Sequence, residues 1–167
     1  MKFYEELDKA LEHLSSGGAF LTVRSADGKA NTMTISWGYV GFSWGKPHFI
    51  TMVRPQRYTH DLLESADSYT ISIPCSDKMK QALAICGTKS GRDVDKETLA
   101  GISFQPGRQV ASSVVAGCDI YYECKISYID PLETGKLATV FGEACYKGDR
   151  HDFYYGEIVE AYRGEKG

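Results

Sequence analysis

Apolar residues recur along this chain at two different spacings. Near the start, Phe3, Leu7, Ala10, Leu11 and Leu14 fall at helical intervals, with Lys and Glu between them and Gly17-Gly18 closing the run. That stripe predicts an N-terminal amphipathic helix. Beyond it come short runs rich in β-branched and aromatic residues: Ala19 to Val23, Met33 to Phe42, His48 to Val53, Tyr69 to Ile73, Ile102 to Phe104, Cys118 to Ile129 and Leu137 to Tyr146. These read as strands. Asp27-Gly28, Pro106-Gly107 and Lys147-Gly148-Asp149 mark turns between several of them.

The clearest strand is Cys118 to Ile129. Cys118, Ile120, Tyr122, Cys124, Ile126 and Tyr128 alternate with Asp119, Tyr121, Glu123, Lys125 and Ser127, which predicts one inward face and one polar face. Helical spacing returns near Thr59 to Ala66 and Asp77 to Cys86, and in a short stretch from Asp95 to Ala100 stopped by Gly101. Strands outnumber helices and do not alternate with them regularly. That pattern argues against a doubly wound parallel sheet and for a mainly β fold, an antiparallel barrel with peripheral helices.

Composition narrows the functional classes. At 167 residues the chain has the size of one domain, and 43% hydrophobic with 25% charged residues is ordinary for a globular protein. A formal net charge of -3 opposes general nucleic-acid binding, so any anion site must be local. No stretch approaches the roughly 20 apolar residues of a membrane span, and the N-terminus lacks an apolar leader core, which points to the cytoplasm. Five cysteines, with no Cys-x-x-Cys and no paired histidine spacing, signal neither a disulfide framework nor a metal site.

Three stretches carry candidate chemistry. Val53-Arg54-Pro55-Gln56-Arg57-Tyr58-Thr59 follows an apolar strand and opens an apolar-faced helix. With Thr59 as N-cap, helix N–H groups and the forked donors of Arg57 can converge on a phosphate. Taken alone, the same residues are equally well read as a capped helix with surface ion pairs. Gly87-Thr88-Lys89-Ser90-Gly91-Arg92-Asp93-Val94-Asp95-Lys96 can turn backbone N–H groups and cations toward an anion, although it lacks the Gly-Lys-Ser/Thr of a Walker loop. In Asn31-Thr32-Met33-Thr34-Ile35-Ser36-Trp37 the alternation puts Met33, Ile35 and Trp37 on one face and Thr32, Thr34 and Ser36 on the other.

In order and spacing, from about Leu14 to Tyr146, these stretches together resemble the flavin reductase-like FMN-binding family, its flavoredoxin members above all. The resemblance implies a split β-barrel, a homodimer with FMN near the subunit interface, and electron transfer among NAD(P)H, flavin or a redox protein partner. By position it implies that Asn31, Thr32, Met33, Thr34 and Ser36 line the isoalloxazine and ribityl region, with Thr34 and Ser36 as hydrogen-bond donors and Trp37 packed beside them. Val53 and Arg54 would bring strand backbone to the ring's polar edge. Arg57 and Thr59 would hold the phosphate with Ser90 and Lys96, and Lys89 and Arg92 rank behind them.

In that reading FMN carries the chemistry and no side chain need act as acid or base. His13, His48, His60 and His151 have no context marking a nucleophile and are read as surface or structural. Cys118 and Cys124 are read as core, whereas Cys75 and Cys86 border loops, where a thiol can be redox-active.

Overall fold

The computed structural model describes residues 1–145 and 150–165. In chain order it contains α1 (Leu7–Ser16), β1 (Ala19–Arg24), β2 (Ala30–Ile35), β3 (Gly38–Ser43), β4 (Lys46–Val53), α2 (Tyr58–Leu63), β5 (Ser68–Ile73), α3 (Lys80–Thr88), α4 (Lys96–Ala100), β6 (Phe104–Gln105), β7 (Val114–Val115), β8 (Ile120–Pro131), α5 (Thr139–Cys145) and β9 (Asp152–Arg163). Short 3-10 turns occupy Asp77–Met79 and Thr134–Lys136.

Seven strands form one antiparallel sheet in the order β2-β1-β5-β8-β9-β4-β3. Its two outermost strands are consecutive in sequence, joined through Ser36 and Trp37. Those residues can bridge roughly 10 Å, so the sheet has to curl until its edges meet at that corner. Beyond the corner β2 and β3 do not pair, and β2 instead touches β4 across an open seam. The result is a barrel closed on one side and split on the other.

The strand expected from Met33 to Phe42 is therefore two strands, broken where the chain steps from one edge of the sheet to the other. Gly18 permits the tight approach to this corner. Its φ of +90° favours glycine, and a Cβ there would lie 2.8 Å from the Ile35 carbonyl oxygen.

Inside the curl, Leu21, Val23, Met33, Ile35, Phe49, Val53, Ile71, Tyr122 and Tyr154 form the main core, with Ala10 and Leu14 of α1 packed against it. A second cluster covers the outer face, where Phe20 and Tyr121 meet Leu83 and Cys86 of α3 and Val114 and Val115 of β7.

That second layer corrects the expected polar face of the Cys118 to Ile129 strand. Ile120, Tyr122 and Cys124 do face inward, but Tyr121 and Glu123 are buried too, because the chain around β6 and β7 lies over them. Cys118 precedes the strand and packs with the outer cluster, its Sγ 3.6 Å from Met79 Sδ.

One further expectation changes, and one strand goes unread in the sequence. Leu137 to Tyr146 was expected as a strand, yet Thr139–Cys145 is α5, and Tyr146 lies outside the described residues. Val140 and Phe141 are exposed, and the place between β8 and β4 is filled by β9, so the β-branched pattern there has no sheet to join. β9 itself, Asp152–Arg163, is a strand that the segment's mixed polarity conceals.

Candidate functional site

The corner where the sheet edges meet holds a cavity of about 420 Å³. The end of β2 and the bridge residues, Met33 to Trp37, form one wall; Met52 of β4 and the following Arg54, Gln56 and Arg57 form another; His151 closes the third. Pairing of Val53 with Asp152 sets Arg54 and His151 side by side as their strands end and begin. Arg54 Nε donates to His151 Nε2 at 3.4 Å, and the Trp37 ring lies 5.0 Å from the His151 ring, tilted by 46°. The cavity thus combines apolar side chains, Met33, Ile35 and Met52, with the polar Arg54 and His151, a lining suited to a flat heterocycle with a polar edge.

A smaller cavity of about 100 Å³ adjoins it, sharing Met33, Gln56 and Arg57 and continuing to Tyr58, Thr59, Thr88 to Arg92 and Lys96. Four of these residues are cations, Arg57, Lys89, Arg92 and Lys96, and none is a carboxylate. Lys96 is the first residue of α4, whose preceding Asp95 caps the helix by accepting from Glu97 N at 3.0 Å. Its ammonium is buried and donates to the carbonyl oxygens of Thr32 at 2.6 Å and Cys86 at 3.2 Å. β2 is an edge strand, so a carbonyl on its outer side is available to such a donor. Arg57 donates to the Gly87 carbonyl.

These cations pay electrostatically for their place. Burial above all, against an upward pull from Cys86 and with a smaller downward push from the positive charge of Arg57, brings the Lys96 pKa down to about 8. Burial also lowers that of Arg57, and Arg54 adds to the effect. An anion in the small cavity would offset both penalties.

The structure brings most of the residues singled out in sequence to these two cavities. Met33, Thr34, Ser36, Trp37 and Arg54 line the larger, Thr59, Ser90 and Lys96 the smaller, and Met33 and Arg57 both. Asn31, Thr32 and Val53 line neither. Asn31 Nδ2 donates to Thr59 Oγ1 at 2.9 Å and ties β2 to α2. Thr32 is fully buried, its hydroxyl donating to the Leu21 carbonyl at 3.1 Å, and Val53 belongs to the core.

Two roles change as well. The Thr34 hydroxyl donates to the Leu83 carbonyl at 2.5 Å, so this side chain anchors α3 and is already committed as a donor. Thr59 does not cap α2, which begins at Tyr58 with Arg57 in the cap position; its side chain is held by Asn31.

Met52, Gln56 and His151 line the larger cavity although none was singled out as a site residue. Gln56 lies within the Arg54 to Thr59 stretch, and Met52 has the strand parity that Arg54 continues. His151, read as surface or structural, is buried at the cavity wall, a placement set by β9. His60 Nε2 and Asp152 Oδ2 lie 2.8 Å apart, away from these cavities. Cys86 is fully buried, and burial pushes its thiol pKa up, which opposes the redox role considered for it.

The family model of the flavin reductase like domain matches residues 11–167. An uncharacterized protein of Pyrococcus abyssi is 29% identical over 146 residues, covering 84% of this chain and 83% of that protein. Among solved structures, an FMN-binding protein from Thermus thermophilus with bound p-hydroxybenzaldehyde superposes with a TM-score of 0.70 at 23% identity, over 90% of this chain and 72% of the other. Flavoredoxin of Desulfovibrio vulgaris (Miyazaki F) gives 0.71 at 22% identity, over 89% and 69%. A Streptomyces globisporus NADH:FAD oxidoreductase gives 0.67 at 18% identity, over 97% and 84%. At these identities the likeness is one of fold, a split antiparallel barrel.

Proposed function

The chain belongs to the flavin reductase like domain family, and from that premise we propose that it is an FMN-binding oxidoreductase. One observation carries the reading: a ring-sized cavity at the barrel seam runs into a small one lined by four cations and no carboxylate. That sequence of environments fits a heterocycle tethered to a phosphate. Bound FMN supplies the hydride and electron chemistry there.

The chain's own residues bind and orient. Met33, Ile35 and Met52 pack against the ring, the Arg54 strand end presents polar groups to its edge, and Trp37 with His151 limits water on the open side. Arg57, Thr59, Ser90 and Lys96 hold the phosphate. NADH or NADPH is the proposed electron donor.

The test is spectral. The protein is expected to purify yellow or to take up FMN on reconstitution, and to bleach without air on addition of NADH or NADPH. Failure to take up FMN would remove the reading. Uptake with bleaching only by a reduced redox protein would replace the reductase with an electron carrier.

The reading extends to a homodimer. Tyr39, Phe42 and Trp44 of the β3–β4 hairpin are 56%, 69% and 66% exposed, an apolar group of the kind that a second copy covers. Sedimentation as a monomer at micromolar concentration would remove this part.

A further inference from the structure

β9 begins at Asp152, next to His151 of the larger cavity, and ends at Arg163, where Tyr162 and Arg163 line a separate cavity of about 290 Å³. It shares no lining residue with either of the two cavities above. The Arg108 guanidinium stands there 3.7 Å from the centroid of the Tyr162 ring, and the Tyr121 ring stacks on Tyr162 at 4.9 Å and 23°. A ring contact of this kind holds the cation but accepts none of its five N–H donors in a hydrogen bond. Among the described residues those donors have no carboxylate or carbonyl partner.

One group fixes both halves of the contact. The fully buried Glu123 carboxylate accepts from the backbone N–H groups of Arg108, Gln109 and Val110 and from the Tyr162 hydroxyl. Gly107 lets the loop close this tightly, since a Cβ there would lie 2.6 Å from the Ser112 carbonyl oxygen. The guanidinium is therefore in place before a ligand arrives, which removes part of the ordering cost of binding.

The rest of the lining sets the ligand's chemistry. Pro106, Val114 and Cys118 supply apolar surface. Arg163 is already engaged, its Nη2 2.7 Å from Glu6 Oε1, and Glu165 adds a carboxylate. One unengaged cation near one carboxylate suits a single negative charge and opposes a dianion. The guanidinium fork matches a carboxylate in shape. We propose that this cavity binds a small monocarboxylic acid with a compact apolar body. The carboxylate takes the Arg108 fork, and the body lies against Pro106 and Val114. The site stands apart from the FMN reading, because no residue serves both.

Benzoate is the probe, titrated into the purified chain with and without added FMN and followed by NMR. It is expected to saturate with a Kd of about 1 mM or tighter and to shift the Arg108 and Tyr162 side-chain signals in both conditions. Benzyl alcohol, which keeps the ring and loses the charge, and inorganic phosphate should each bind at least about tenfold more weakly. Arg108→Gln and Arg108→Lys should each weaken benzoate by about tenfold with flavin uptake unchanged; the lysine variant separates the fork from the charge. Benzoate that shifts only residues of the flavin cavities overturns the inference, as does equal affinity in parent and both variants. Phosphate binding at Arg108 more tightly than benzoate overturns the assignment to a monocarboxylate. Where neither variant folds, the shifts in the unmodified chain decide, and failure of FMN uptake does not touch the result.

Discussion

Lys96 and Glu123 are both charged and both nearly lost to solvent, at 7% and 0% exposure, yet their surroundings differ in kind. The Glu123 carboxylate is saturated with donors. Oε1 accepts from Arg108 N at 2.7 Å and the Tyr162 hydroxyl at 2.9 Å, and Oε2 from Gln109 N at 2.7 Å and Val110 N at 3.2 Å. Lys96 has two neutral carbonyls as acceptors, and the small cavity it faces contains no carboxylate. A charge that holds structure is satisfied from within the chain. Lys96, which we propose serves a ligand, is left electrostatically short, and its lowered pKa records that shortage.

The sharpest way to break this comparison is Glu123→Gln. The amide keeps the shape but turns a donor toward backbone N–H groups that need an acceptor. Unfolding should become easier by about 3–5 kcal/mol, roughly 10 °C in Tm, with FMN affinity of the folded fraction unchanged. Thermal and denaturant melts measure it. A loss below about 1 kcal/mol would mean that the 108–110 segment does not depend on this carboxylate.

Arg57→Ala reverses the pattern. It removes a charged donor from the cationic cavity and should weaken FMN by about ten- to a hundredfold, or 1.5–3 kcal/mol. Stability should change little, because the lost Gly87 contact is offset by relief of a desolvated charge beside Arg54. Calorimetric titration with FMN and riboflavin separates phosphate from ring: riboflavin affinity should not move. An equal loss for both flavins would place Arg57 at the ring instead.

How much of this contrast can be read in sequence differs between its two halves. The cationic site is legible because its parts fall in two short stretches, Arg54 to Thr59 and Ser90 to Lys96, whose residue types suit an anion. β1, β4 and β5 are legible too, since their apolar runs are short and bounded by turns. Glu123 is not, because local alternation assigns it to a solvent face, and the chain around β6 and β7 that covers that face lies elsewhere in the sequence. β9 hides for a related reason. Tyr154, Gly156 and Ile158 point inward at a two-residue period, but the outward Glu157 and Glu160 and the inward glycine blur the pattern. Without β9 there is no reason to bring His151 beside Trp37 and Arg54. The seam has the same origin: that β2 and β3 are the two edges of one sheet follows from pairings with β1 and β4, which no local pattern in 30–43 contains.

Lys96 permits the finest test, by pH and by substitution together. In the folded chain without ligand it loses its proton near pH 8, well below the ordinary lysine value of about 10.4. The unfolded chain therefore holds more protons between those values, and the flavin-free protein should gain stability from this group as pH rises through that window. Binding should run the other way. A phosphate dianion favours the charged lysine, so FMN affinity should fall as pH rises above about 8, by at most tenfold per unit, and binding there should take up a proton. Lys96→Met should flatten that pH dependence, weaken FMN near neutral pH by about tenfold, and leave the flavin-free chain as stable as before or more so, since a buried charge is replaced by an apolar side chain of similar length. Calorimetry in buffers of different ionisation enthalpy reads the proton directly. A variant that loses stability at pH 7 and keeps the pH dependence of the parent would make Lys96 a structural charge like Glu123.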